Sequence, residues 1–193
     1  MAKHPKPTVA TIKQKYLVRP DPKDLDIFHI MALLPALPYH IVADIGCASG
    51  EFSVSLGKWM YRGKVFAVDS VKKNLTATSS ELKRINLTNV ETILWEKGKK
   101  LPFEEGTLDG VFASFLLQES KAPTTVLRSA YKCLNKGGWI ALMEWSRSET
   151  NNSGVLRTQI SPVEYRALAE QVGFRFTMRH YLSDDHYMLL LRK

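Results

Sequence analysis

Residues 40–53, His-Ile-Val-Ala-Asp-Ile-Gly-Cys-Ala-Ser-Gly-Glu-Phe-Ser, constrain the fold more than any other stretch of this chain. From residue 40 this stretch begins as a short apolar run with β-branched residues, which suits a buried parallel strand. The run then breaks into small residues around Gly46 and Gly50 and resumes as Phe52, Leu56 and Trp59, spaced like one face of a helix. Strand, glycine turn and helix is an arrangement with specific physics. Glycines let the backbone approach a ligand, and the helix N-terminus offers free N–H groups to something polar or anionic. A second apolar strand, Lys64 to Asp69, closes on an acid about 20 residues beyond the turn, a separation that suits a ribose held by its two hydroxyls.

Size and composition set the frame for that site. A chain of 193 residues, 45% apolar and 24% charged, is expected to form one soluble globular domain with a sizeable core. No run approaches the roughly 20 apolar residues needed to cross a bilayer. The basic start, Met1 to Pro7, is followed by no apolar stretch, so a secretory signal is not expected and the cytoplasm is the default location. The two cysteines, Cys47 and Cys133, have neither C-x-x-C spacing nor a nearby histidine cluster, so no metal site is expected. Both read as small, partly buried thiols in a reducing compartment.

The net charge of +8 is uneven: residues 58–100 hold ten Lys and Arg against four Asp and Glu. A basic stretch of this kind suits a nucleic-acid or acidic-substrate surface, or serves solubility alone. No arginine-rich run interleaved with aromatics favours the first, so nucleic acid is a possible partner but not the favoured one.

Along the chain, residues 1–21 carry three prolines and many lysines and read as an N-terminal arm, leaving 22–193 as a single domain. Leu25 to Leu34 is a mostly apolar helix capped by Asp24 or a neighbour and stopped by Pro35 and Pro38. Strands at 64–69, 90–95, 108–115 and 139–145 alternate with helices at 71–86 and 122–134, the second ended by Asn135-Lys136-Gly137-Gly138 as a glycine stop. Residues 96–107 and 146–160 read as loops. Ser161-Pro162-Val163-Glu164 is a capping box with proline at the first helical position, and Gly173 ends that helix. Segments 174–181 and 186–192 form a closing antiparallel hairpin. This alternation implies an α/β, Rossmann-like, doubly wound sheet, mostly parallel. The terminal hairpin departs from a pure dinucleotide-binding fold.

Taken together, these residues resemble the class I S-adenosylmethionine-dependent methyltransferases, and most nearly their small-molecule and quinone-biosynthesis group. The likeness runs from about residue 25 to the end. It rests on Val42 to Gly50, Val65 to Asp69, Leu101 to Asp109 with Phe115-Leu116-Leu117-Gln118, and Leu134 to Gly138, taken in order and spacing. The resemblance implies a seven-stranded sheet whose last two strands are an antiparallel hairpin, with S-adenosylmethionine as cofactor. It implies that Asp44 lies near the methionyl ammonium, that Gly46, Cys47, Ala48 and Gly50 form the turn against the cofactor, and that Asp69, with Ser70 beside it, accepts from the ribose hydroxyls. Ser114 and Phe115 would border the methionyl group through backbone. Ala48 stands where many members have glycine. Where the family often has an Asp for the adenine amino group, this chain has Lys97, which has no acceptor. The contact then passes to Glu96 by a one-residue shift, or to backbone atoms.

Each assignment has a plainer structural counterpart. Asp44 and Asp69 also suit strand-end caps, and Gln118 suits a helix start as well as a substrate contact. Trp59, Trp95, Trp139 and Trp145 read as core, with Trp145 able to face the substrate mouth. His180 and His186, beside the hairpin turn, read as surface residues.

Methyl transfer from a sulfonium is an in-line displacement that depends mostly on aligning acceptor and methyl carbon at about 3 Å in a water-poor pocket. No residue is an obvious base; Tyr16, Gln118, Glu119 and Glu144 are candidates by position only, and no catalytic residue is assigned. The expected acceptor is a small molecule. Three alternatives remain open: an RNA or protein methyltransferase using the basic surface, an NAD-type oxidoreductase, and a binding subunit that keeps the pocket without transferring methyl.

Overall fold

The computed structural model describes residues 25–96, 98–118, 120–145, 160–184 and 186–193. The expected N-terminal arm, Tyr16, Lys97, Glu119 and the loop at 146–159 lie outside them. Among the described residues the strands are β1 (Ile41–Ile45), β2 (Lys64–Asp69), β3 (Val90–Leu94), β4 (Leu108–Ser114), β5 (Leu134–Trp145), β6 (Arg175–Ser183) and β7 (His186–Arg192). The helices are α1 (Ile27–Leu33), α2 (Glu51–Trp59), α3 (Lys72–Arg84), α4 (Pro123–Cys133) and α5 (Pro162–Val172). One seven-stranded sheet has the order β3-β2-β1-β4-β5-β7-β6. Its first five members in that order are parallel, and β7 runs antiparallel to both β5 and β6.

Period-two alternation sorts the apolar residues onto two faces, as a doubly wound sheet requires. Ala43, Ile45, Val68, Ile140 and Leu142 pack with Leu127 and Ala130 of α4 and with Tyr165 and Ala169 of α5. Val42, Val65, Ala67, Ala141 and Met143 pack with Ile30 and Met31 of α1, Leu56 of α2, and Leu75 and Leu82 of α3. Both faces are covered, which is why the central strands read as near-continuous apolar runs.

The helix ends follow local chemistry. Asp26, a neighbour of the expected Asp24, caps α1 by accepting the His29 N–H at 3.0 Å. At α5, Ser161 and Glu164 form the expected reciprocal capping box, and Gly173 ends the helix at φ 118°. Asn89, from the turn before β3, donates to the carbonyls of Gly57 and Met60 at 2.9 Å each and satisfies the far end of α2.

Two expectations fail. Asn135 to Gly138 is not a glycine helix stop: α4 ends at Leu134 in extended conformation and the chain enters β5 directly. Gly137 instead donates to the Lys193 carbonyl at 3.2 Å, and Lys193 donates back to Gly138 at 2.9 Å. That pairing spans more than 50 residues, beyond any local pattern. Trp59 is 43% exposed, because Met60 at the helix end takes the interior position instead. Cys47 and Cys133 are free thiols, as expected, and both are buried rather than partly so.

Candidate functional site

The order β3-β2-β1-β4 brings four carboxyl ends side by side, with the reversal of strand order between β1 and β4. Open α/β sheets bind ligands at such a switch point. Ile45 pairs with Val68 on one side and with Ala113 on the other, so the segments that follow these residues share one edge.

The glycine turn is anchored into that edge by backbone bonds. The N–H groups of Gly46 and Cys47 both donate to the Val68 carbonyl, at 2.7 and 3.0 Å, and Gly50 donates to Cys47 at 2.9 Å. Gly46, Ala48 and Gly50 all have positive φ, at 76°, 50° and 86°. At Gly50 the left-handed backbone is joined by a steric reason: a Cβ there would lie 2.5 Å from Cγ2 of Thr78. Gly50 therefore lets α3 pack against the turn, in addition to the backbone freedom expected of it. Ala48 holds the left-handed conformation that a glycine would reach without strain.

Asp69 is 4% exposed and bridges two segments. Its Oδ2 accepts the Ala48 N–H at 2.9 Å and its Oδ1 accepts the Val71 N–H at 2.8 Å. An ionised carboxylate has about four acceptor sites, so about two remain for a ligand's hydroxyl donors. A vicinal diol fits that remainder. Ser70, next in the chain, is exposed. Asp44 is fully buried within β1, and its Oδ2 accepts the Ser53 hydroxyl at 2.6 Å. It thus ties β1 to the first turn of α2, which is the capping role anticipated beside the ligand one.

On the other side of the switch point Ser114 is buried and Phe115 adopts φ 53°. A left-handed conformation costs a bulky residue on the order of 1–3 kcal/mol and tends to persist at functional sites. The Phe115 N–H donates to Met143 at 2.8 Å, and its ring lies 5.7 Å from Trp145 and 5.6 Å from His186. Trp145 and His186 are themselves 4.2 Å apart, centroid to centroid.

His186 corrects the surface reading: it is 5% exposed, and its Nδ1 lies 2.8 Å from the Ser183 hydroxyl. The signal was present in the near-continuous apolar run His186 to Leu191, which is buried throughout, as in a strand covered on both faces. His180, on the edge strand β6, is partly exposed. Trp145 stands at the strand end where it was expected, while Trp95 and Trp139 are core.

At the β3 end, Trp95 donates its backbone N–H to Asp69 at 2.9 Å and its indole N–H to the carbonyls of Lys99 and Lys100. The turn after β3 is wrapped around that indole. Glu96 is exposed and paired with Lys99 at 2.7 Å. The basic stretch is partly neutralised in the same way, since Lys64 pairs with Glu91 and Arg84 with Glu81.

A glycine turn tied to a strand-end acid, on a seven-stranded sheet closed by an antiparallel β7, defines the class I S-adenosylmethionine-dependent methyltransferase architecture. A family model described as "Methyltransferase domain" matches residues 43–142, just over half of the sequence, and the chain belongs to that family. S-adenosylmethionine is the cofactor of this class. The demethylmenaquinone methyltransferase of Oceanobacillus iheyensis is 29% identical over 105 residues, covering 54% of this chain and 44% of that protein. The chain thus spans less than half the length of the curated relatives it matches. Among solved structures, a SAM-dependent methyltransferase from Aquifex aeolicus superposes with TM-score 0.81 at 20% identity, covering 97% of this chain and 99% of that one. The [4+2]-cyclase SpnF superposes at 0.77 with 12% identity, covering 86% and 80%. At these identities the structural likenesses establish the fold, and the cyclase shows that the fold alone does not fix the reaction.

Proposed function

We propose that this chain transfers the methyl group of S-adenosylmethionine to a small, largely apolar acceptor, with residues 22–193 as the methyltransferase domain, residues 1–21 as an arm, and the cytoplasm as its location. The observation that carries the reading is the Asp69 carboxylate bonded into the turn at Ala48. That bond sets a ribose acceptor against the glycine backbone.

In this reading Asp69 receives the ribose hydroxyls, with Ser70 at the rim. Gly46, Cys47, Ala48 and Gly50 form the wall under the nucleoside, and Asp44 supplies negative charge below the methionyl ammonium. Ser114 and Phe115 border the methionyl chain. Glu96, or backbone atoms in place of the Lys97 side chain, which has no acceptor, meets the adenine amino group. S-adenosylmethionine supplies a methyl already activated on a sulfonium. The protein's part is then alignment and exclusion of water. Phe115, Trp145 and His186 provide an aromatic boundary suited to an apolar, planar acceptor, and the quinone acceptor implied by the relative's name is of that kind. The antiparallel β7 argues against the NAD-type oxidoreductase.

The test is incubation with S-adenosylmethionine and a panel of quinols, phenols and carboxylic acids, read by mass spectrometry. A methylated product of any panel member supports the reading. Transfer to RNA or protein alone would overturn the small-molecule assignment.

A further inference from the structure

Glu144 is 1% exposed at the penultimate position of β5, opposite Tyr187 of β7 in the register. It shares the parity of Ile140 and Leu142, so it belongs to the α4–α5 face, whereas Trp145 belongs to the other. On that face its Oε1 accepts the Leu117 N–H at 2.8 Å, within the segment that continues from the left-handed Phe115. Two phenols flank the carboxylate. Tyr165 and Tyr187 are 1% and 0% exposed, and their hydroxyls have no hydrogen-bond partner among the described residues. Burial first, and the nearby Glu144 second, hold both phenols well above the ordinary tyrosine value, so both stay protonated.

Burying a carboxylate is costly unless it is well bonded, and a charge-assisted hydrogen bond is roughly twice as strong as a neutral one. That bond goes to a backbone amide outside any helix or strand. We propose that Glu144 is a positioning residue of the acceptor end. Its carboxylate clamps the Leu117 N–H and so holds Phe115 to Gln118 in the bend that leads away from β4. It acts through that segment and is not a base for the acceptor, because its side chain lies on the sheet face opposite Trp145. The proposal rests on the methyl-donor reading of the site, since the clamped segment begins at the residues assigned to the methionyl group.

The test compares wild type, Glu144→Gln and Glu144→Leu by S-adenosylhomocysteine calorimetry, thermal melting and residue-resolved amide exchange. The glutamine keeps an acceptor oxygen, so it stays within about threefold of wild-type affinity, whereas leucine loses about tenfold and exposes the Leu117 amide to exchange. Equal losses in both variants, or a leucine variant with wild-type affinity and a protected Leu117 amide, would overturn the proposal. Should the leucine variant not fold, wild type still decides: its Leu117 amide exchanges slowly if clamped, and free exchange overturns the clamp. Failure of wild type to bind S-adenosylhomocysteine would remove the cofactor reading, while the Leu117 protection would still judge Glu144.

Discussion

The Asp69 carboxylate and the Ala48 backbone N–H, 21 residues apart in sequence, meet at 2.9 Å. One side chain thereby fixes the glycine turn to the end of β2, while its other oxygen holds Val71 at the start of α3. Substituting Asp69 by alanine frees both amides and removes the proposed ribose acceptor. The expected result is a loss of S-adenosylhomocysteine affinity of about 1–3 kcal/mol, with a lower melting temperature. Titration well below both melting transitions separates the two effects. Unchanged affinity would refute the ribose role.

Gly50→Ala is predicted to destabilise the fold by about 2–4 kcal/mol, from the left-handed backbone together with the clash against Thr78. Thr78→Ala removes Cγ2 and Oγ1, the two nearest atoms, so in the Gly50→Ala background it should recover part of that loss. Urea unfolding of the four proteins in the cycle measures the coupling. Strict additivity would mean that Gly50 is required by conformation alone.

Ser53→Ala removes the hydroxyl that donates to the buried Asp44. A destabilisation of about 1–3 kcal/mol is expected from the weakened satisfaction of a buried carboxylate. Ser53→Thr keeps the hydroxyl and should lose less than alanine if the bond matters more than the size of the site. Denaturant midpoints at constant slope provide the check.

What was legible in the sequence was local or short-range. The glycine turn, the capping box at Ser161 and Glu164, and Asp69 at its distance from the turn all declare themselves within a few turns of chain. What was not legible depends on which distant strand lies alongside. Asn135 to Gly138 looked like a helix stop because the partner of Gly137 and Gly138 is Lys193, the last residue. His186 looked exposed because it adjoins a turn, yet inserting β7 beside β5 places it against Trp145. Trp59 failed for the opposite reason, since helical spacing marks a face but does not show where covering elements end.

His40 couples stability to pH. The Leu37 N–H and the Trp139 indole N–H both donate to its Nδ1, at 3.2 and 3.4 Å, which requires that nitrogen unprotonated. Burial lowers its pKa, Asp109 opposes that shift, and Arg192 reinforces it. With the folded value below the unfolded one of about 6.5, the unfolded chain binds the proton more readily. The contribution of His40 is therefore present above about pH 6.5 and lost as pH falls through the folded value. His180 is shifted the same way, by burial and then by His29. Melting temperatures between about pH 7.5 and 5.5 should fall less in His40→Asn than in wild type, and parallel curves would exclude His40 as a source.

In the proposed reading, the turn at Gly46 to Gly50, tied to Asp69, holds the nucleoside of a methyl donor. Calorimetric titration of the wild-type chain with S-adenosylhomocysteine, and separately with NAD, separates that role from dinucleotide binding. Saturable one-site binding of S-adenosylhomocysteine with no heat from NAD is the predicted result, and binding of NAD without S-adenosylhomocysteine would contradict it.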